Sequence, residues 1–149
     1  MEISIRSVQI ADAADVARLS AQFGYPAAET DVRAWLSLLL DSKADWVWVA
    51  MGDGRILAWI QATAMFRMES GKFLEITGLV VDESVRSLGI GGRMVLHVKE
   101  FGVASGFERL VVRSNISRIR AHQFYLKLGF AERKQQKVFE IALQSDAKT

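Results

Sequence analysis

The sequence predicts an α/β fold of the α+β type: a mixed, mostly antiparallel sheet flanked by helices, in the order βααβββαβαβ. Three observations predict it. Runs with strand-like alternation and runs with three- and four-residue helical spacing succeed one another along the chain. Gly52-Asp53-Gly54 separates two strand-like runs, as a hairpin turn would. An apolar run from Ile76 to Val81 passes through a polar corner and a glycine-rich turn straight into a helical pattern. The 149 residues are half hydrophobic, enough for one domain with a real core.

Each element has a local reason. Ile3, Ile5 and Val8 alternate with polar residues in a short first strand. Asp12 precedes Val16, Leu19 and Phe23, which predicts a capped amphipathic helix, stopped by Gly24-Tyr25-Pro26. Thr30 is the expected cap of a second helix, with Val32, Trp35, Leu36, Leu39 and Leu40 on its apolar face. Trp46 to Ala50 reads as a strand and Arg55 to Thr63 as its returning partner. Residues 65–71 read as a loop, and Lys72 to Val81 as the next, antiparallel strand. Met94, Val95, Val98 and Phe101 give the following helix one apolar face, and Ser105-Gly106 ends it. Leu110-Val111-Val112 has no polar interruption, so burial on both faces is expected. Ile116 to Leu128 is expected to be helical up to Gly129, and Val138 to Leu143 forms a last strand. One more short strand near Phe130-Ala131 fits the pattern as well. A polar tail from Gln144 to Thr149 is expected to fray.

Composition excludes several classes. The net charge is +2, with 19 basic and 17 acidic residues interspersed, which argues against a nucleic-acid surface. With no cysteine there is no disulfide framework, thiolate metal site or cysteine nucleophile. His97 and His122 are too far apart to suggest a metal site, and no metal is expected. No signal peptide or long apolar span is visible, so a cytoplasmic protein without membrane contact is expected. A homodimer is left open.

The turn is the chemical centre of the chain. Backbone N–H groups at a helix start lack partners and carry partial positive charge, and glycines clear the space before them. A phosphate is the natural guest. The P-loop pattern fails, because no lysine or hydroxyl residue follows Gly91-Gly92, and the dinucleotide fingerprint fails on spacing. What fits is Arg/Gln-x-x-Gly-x-Gly/Ala, met by Arg86, Gly89 and Gly91. With Leu79-Val80-Val81-Asp82 before it, this stretch resembles the acetyl-CoA signature of the GNAT superfamily of N-acetyltransferases. Ala121 to Phe130, with Tyr125 followed by Leu128-Gly129-Phe130, is similar to that family's second signature. The two motifs stand in the family's order, and the likeness covers most of the chain.

The resemblance implies a fold in which the fourth and fifth strands part, with acetyl-CoA as acyl donor entering between them. It implies that backbone groups of Leu79, Val80 and Val81 bind the pantetheine arm like an added strand. Amides of Ser87, Leu88, Gly89, Ile90, Gly91 and Gly92 would hold the pyrophosphate, with Arg86 facing either the phosphates or solvent. Glu75 stands where histone-type members carry a general base. A protonated amine must lose its proton before attack, and a partly desolvated carboxylate takes it more readily. Thr77 shares its face and could orient a water or the substrate. Tyr125 would protonate the departing thiolate. A thiol of pKa about 8.5 and a tyrosine of about 10 make that transfer nearly balanced. The chain departs from the pattern where many members carry an asparagine: Arg118 stands seven residues before Tyr125, and Asn115 ten. Either could serve the cofactor, with Arg118 favoured. The acceptor would be read by Phe23, Gly24, Tyr25, Trp35 and residues 66–71, which contain no acidic cluster naming it. The implied activity is acetyl transfer to a primary amine by direct attack. The alternative is an inactive acyl-CoA-binding sensor.

Overall fold

A computed structural model describes residues 1–144. The expected frayed tail falls on residues 145–149, outside the described ones. The chain divides into two compact units, the first of residues Met1–Arg113 and the second beginning at Ser114.

The first unit holds a five-stranded sheet in the order β1-β2-β3-β4-β5. The strands are β1 (Ser4–Ser7), β2 (Asp45–Gly52), β3 (Arg55–Arg67), β4 (Gly71–Val81) and β5 (Leu110–Val112). All neighbours are antiparallel except β4 and β5. Three helices complete the unit: α1 (Ala13–Gln22), α2 (Glu29–Asp41) and α3 (Ile90–Ala104). Alternate residues of β2 point to opposite faces. Val47 and Val49 pack with Val16, Leu19, Val32 and Leu36 of α1 and α2. Trp46 and Trp48 go the other way and meet the Phe101 ring of α3 at 4.8 and 5.1 Å. Helices therefore cover both faces, and the two tryptophans are packing residues, as their alternation predicts.

Several boundaries differ from expectation, each for a local reason. Asp12 stands at the N-cap position of α1, as expected, but its side chain makes no cap hydrogen bond to that helix. It closes a 3-10 turn, accepting the Gln9 N–H at 2.8 Å, and both its oxygens hold the Arg6 guanidinium. Thr30 lies inside α2, whose cap is Ala28. The hairpin turn is as expected: Asp53 and Gly54 both take positive φ, 51° and 74°, the pattern of a two-residue primed turn. The expected loop at 65–71 shrinks, because β3 continues to Arg67 and pairs with Gly71. Cross-strand pairing there overrides the polar composition. β5 is only half-buried rather than covered on both faces, because it is the terminal strand of the sheet. After α3, Gly106 at φ 85° closes the helix, with Phe107 N–H reaching Gly102 O at 2.9 Å.

The second unit contains α4 (Ile119–Lys127). It starts later than expected. Asn115 Oδ1 accepts from the Ser117 N–H and hydroxyl, and Arg118 N–H reaches Asn115 O, which makes a turn of residues expected to be helical. Beyond Gly129 the chain to Gln144 carries no regular element. The strand expected at 138–143 is thus absent, as is the short one at Phe130-Ala131. A strand exists only where another backbone pairs with it, and among the described residues none pairs with this segment.

Candidate active site

The site in the first unit begins with a fault in the sheet. Gln61 pairs with Gly78 and Ala62 with Ile76, so Thr77 is an extra residue, a β-bulge. The pairing of β4 with β5 stops at the same point, with Ile76 opposite Val112. From Thr77 to Val81 β4 is paired with β3 alone among the described residues. This is the parting of fourth and fifth strands that the resemblance implied.

The hydrogen-bond register tells which backbone groups the parting frees. Asp82 N–H donates to Leu57 O of β3 at 2.7 Å. Backbone groups alternate in direction along a strand. Val80 and Gly78 therefore also turn theirs to β3, while Leu79 and Val81 turn theirs to the open edge. Val80 is a core residue, 3% exposed. The expected edge is thus made by two of the three named residues, and Val80 carries the sheet instead.

The open edge runs into the turn. Asp82 is buried and caps it, accepting the Ser84 N–H at 3.0 Å and the Ser84 hydroxyl at 2.9 Å. Arg18 of α1 donates to the same carboxylate at 2.9 Å and to Ile56 O at 3.0 Å. The Ser84 amide, followed by Arg18, holds the Asp82 carboxyl well below the usual carboxylate range against the opposing effect of burial. Ser87 then takes φ 72° and Gly89 φ 80°, and α3 starts at Ile90. Arg93 N–H closes the first helical bond on Gly89 O at 3.2 Å. Helix geometry gives the amides of Ile90, Gly91 and Gly92 no intrahelical acceptor. A Cβ at Gly89 would meet nothing within 4 Å, so it is the left-handed φ, not crowding, that asks for glycine there. Arg86 lies over the Phe23 ring, 5.6 Å from its centroid. Leu88 is exposed.

Glu75 stands opposite Thr63 on β3 and beside Val111 on β5. It is 8% exposed, and its Oε1 accepts from Arg113 Nε at 3.1 Å. Thr63 bonds onward to Asp45 Oδ1 at 2.7 Å and lies 3.2 Å from the Thr77 hydroxyl. Asp45, Thr63, Thr77 and Glu75 thus form a polar row on one face of the sheet. Thr77 joins the face of Glu75, as expected.

Tyr125 and Arg118 belong to the second unit. Gly129 takes φ 97°, and Phe130 N–H donates to Tyr125 O at 3.1 Å. The Leu-Gly-Phe part of the second signature is therefore a helix C-terminal stop. It folds the Phe130 ring onto Tyr125 at 5.5 Å, and the Phe124 ring lies 5.0 Å from the same tyrosine. Burial pushes the Tyr125 hydroxyl pKa up, partly opposed by the Arg118 charge. The hydroxyl keeps its proton at neutral pH and can donate it. His122 bonds the Asn115 carbonyl at 2.9 Å within the unit.

Sequence reasoning missed two arginines. Arg113 directly follows the apolar β5 run, and its place beside Glu75 depends on parallel register. Arg18 sits one helix face away from the α1 core residues, and nothing in the sequence links it to Asp82, 64 positions on.

Comparison with known proteins agrees with this architecture. No curated protein sequence matches the chain. Solved structures that share its fold include the following three. A transcriptional regulator from Bacillus halodurans C-125 has a TM-score of 0.85 at 18% identity, covering 94% of this chain and 100% of its own. The aminoglycoside enzyme AAC(6')-Iy, in complex with a CoA-containing bisubstrate analog, has a TM-score of 0.85 at 16% identity, covering 96% and 100%. The aminoglycoside 6'-N-acetyltransferase AAC(6')-Ih from Acinetobacter baumannii has a TM-score of 0.83 at 16% identity, with the same coverage. At these identities they speak for the fold alone. No helix among the described residues is long and apolar enough to cross a membrane. The sequence profile of the acetyltransferase (GNAT) family matches residues 12–130, a span that holds the parted strand, the glycine turn and the Tyr125 helix. The chain belongs to the GNAT acetyltransferase family.

Proposed function

We propose that this protein moves an acetyl group from acetyl-CoA to a primary amine by direct attack. The observation that carries the reading is the open β4 edge at Leu79 and Val81 running into the unpaired amides at the start of α3. An extended arm with amide groups suits the edge, and a pyrophosphate suits the helix start. Both are parts of acetyl-CoA. Arg86 and Arg118 would add charge toward its phosphates. The amine nitrogen attacks the thioester carbonyl carbon, the C–S bond breaks, and the acetyl group stays on nitrogen. Glu75 would take the proton the amine must lose, directly or through a water, with Thr77 orienting it. Tyr125 would give its proton to the departing thiolate. The row of Asp45, Thr63 and Glu75 presents acceptor oxygens on one face, which suits a cationic amine. The aminoglycoside enzymes with this fold make such antibiotics a sensible first class of acceptor to assay.

One observation favours a second reading. The Glu75 carboxylate is already engaged by Arg113 in an ion pair rather than left open to an incoming amine. A chain that binds acyl-CoA without turning it over would act as a sensor. The test is release of free thiol from acetyl-CoA over a panel of aminoglycosides, polyamines and peptides, with the acetylated acceptor identified by mass. Thiol release with one acceptor acetylated supports the enzyme. Tight acetyl-CoA binding without turnover over the whole panel supports the sensor. No binding at all overturns both.

A further inference from the structure

The polar row beside the bulge has a direction, and the direction fixes what it can bind. Asp45 is held at both oxygens: Ser42 Oγ donates to Oδ2 at 2.8 Å and Thr63 Oγ1 to Oδ1 at 2.7 Å. An ionised carboxylate has no proton to give, so the single Thr63 hydroxyl proton is committed to Asp45. Thr63 Oγ1 also lies 3.2 Å from Thr77 Oγ1, and with its own proton engaged it can only accept there. The other partner of the Thr77 hydroxyl among the described residues is the Gln61 carbonyl at 3.4 Å, again an acceptor. Thr77 is therefore a donor toward the sheet, whichever of the two it meets. Its lone pairs receive no donor among the described residues, and the side chain is exposed. The bulge puts it there, carrying Thr77 onto the face of Thr63 and Glu75 where β4 has parted from β5. Each link strengthens the next, because a hydroxyl that donates becomes a better acceptor.

We propose that Thr77 holds the attacking nitrogen: its hydroxyl accepts one N–H of the acceptor's primary amine. Thr63 and Asp45 are positioning residues, which lock that hydroxyl in its accepting orientation without touching the amine. A hydroxyl free to rotate offers either its proton or its lone pairs. One tied to Asp45 through Thr63 offers lone pairs alone. The subsite thus takes a nitrogen that carries hydrogen and turns away groups that only accept, such as an ether or ester oxygen. The amine is held by one hydrogen on the face of Glu75, which stands opposite Thr63. The fate of the bound amine rests on the acetyltransferase reading above; its binding at Thr77 is tested without turnover.

The experiment uses the full chain with methyl-labelled threonine, in the presence of CoA, which carries no acetyl group. n-Butylammonium is titrated against butyltrimethylammonium, which has the same charge and no N–H, and the Thr63 and Thr77 methyl signals are followed by NMR. Wild type should bind butylammonium more tightly by roughly 10- to 100-fold, the contribution of a hydrogen bond to a charged group, with both methyls shifting. Thr77→Val and Thr63→Val should lose that preference. Thr63→Ser, which keeps the hydroxyl, should retain it. A threonine that only packs would give the opposite order, because valine keeps its branched shape and serine does not. A wild-type preference below this range, no shift at the Thr77 methyl, or an intact preference in folded Thr63→Val overturns the proposal. If the preference is present but no amine of the acceptor panel is acetylated, the subsite stands and the catalytic reading falls. If an amine is acetylated and Thr77→Val leaves its KM and kcat unchanged, the subsite falls and the acetyltransferase stands.

Discussion

Val80 and Val81 are adjacent and identical in type, yet their backbone groups point to opposite edges of β4. That gives a matched pair of proline substitutions. Proline removes one N–H and asks for an extended residue before it, which a strand provides. In Val81→Pro the lost N–H faces the open edge, so the β3–β4 ladder is untouched, as for prolines on edge strands. Folding stability should change by no more than about 1 kcal/mol. A ligand bonded to that amide loses one hydrogen bond, a net 0.5–1.5 kcal/mol or so, which weakens binding roughly 2- to 13-fold. In Val80→Pro the lost N–H belongs to the pair with Trp59. The carbonyl left unpaired costs about 1–3 kcal/mol, and disturbed packing of a fully buried valine adds to it. Val80→Ala, measured alongside, isolates the side-chain part. Urea unfolding gives stabilities, and calorimetry gives the CoA affinity of folded variants. Equal destabilisation by the two prolines would refute the assignment of edges. A folded Val81→Pro protein with wild-type CoA affinity would refute main-chain recognition.

Other expectations follow from the same geometry. Tyr125→Phe keeps the ring against Phe124 and Phe130, so acetyl-CoA affinity should hold while the single-turnover rate falls about 10²–10⁴-fold, the usual general-acid contribution; a loss within about threefold makes the hydroxyl structural. Because burial raises its pKa above the usual 10, the alkaline limb of the wild-type profile should lie above pH 10 or so. Glu75→Gln should slow turnover most at low pH, where the acceptor is most protonated, and a profile of unchanged shape would remove Glu75 from the mechanism. Asp82 and Asp12 are both held below the ordinary range, Asp82 first by the Ser84 amide and Asp12 first by Arg6. Depressed carboxylates add stability in full above their unfolded pKa near 4 and lose it as pH falls below that value. The urea midpoint should therefore drop between about pH 4 and 2, and drop less steeply in Arg18→Ala, which is already weakened at neutral pH. An identical acid slope in that variant would show that the Arg18 pair is not what depresses Asp82. Gly78→Ala places a Cβ 2.6 Å from the Trp59 ring and should cost about 1–3 kcal/mol by overpacking, read as a lower unfolding midpoint.

Local chemistry by itself determined much of this protein. Asp53-Gly54 can only make a primed turn, Gly89 opens a helix in a left-handed conformation, and Gly129 closes one behind Tyr125. Such positions are governed by the φ that a residue tolerates, which is a property of the residue and its neighbours. The apolar period likewise assigned Trp46 and Trp48 to the face opposite Val47. What the sequence could not determine is anything set by pairing. The side-chain period of a strand reports faces and is blind to edges, so only the tertiary register showed that Thr77 bulges and that Leu79 and Val81 present free backbone. The same holds for Glu75 meeting Arg113, 38 positions away, and for Asp82 meeting Arg18. The residues from Val138 to Leu143 show the limit most directly. Their pattern is that of a strand, but a strand is a relation between two backbones, and in this structure the second one is not supplied.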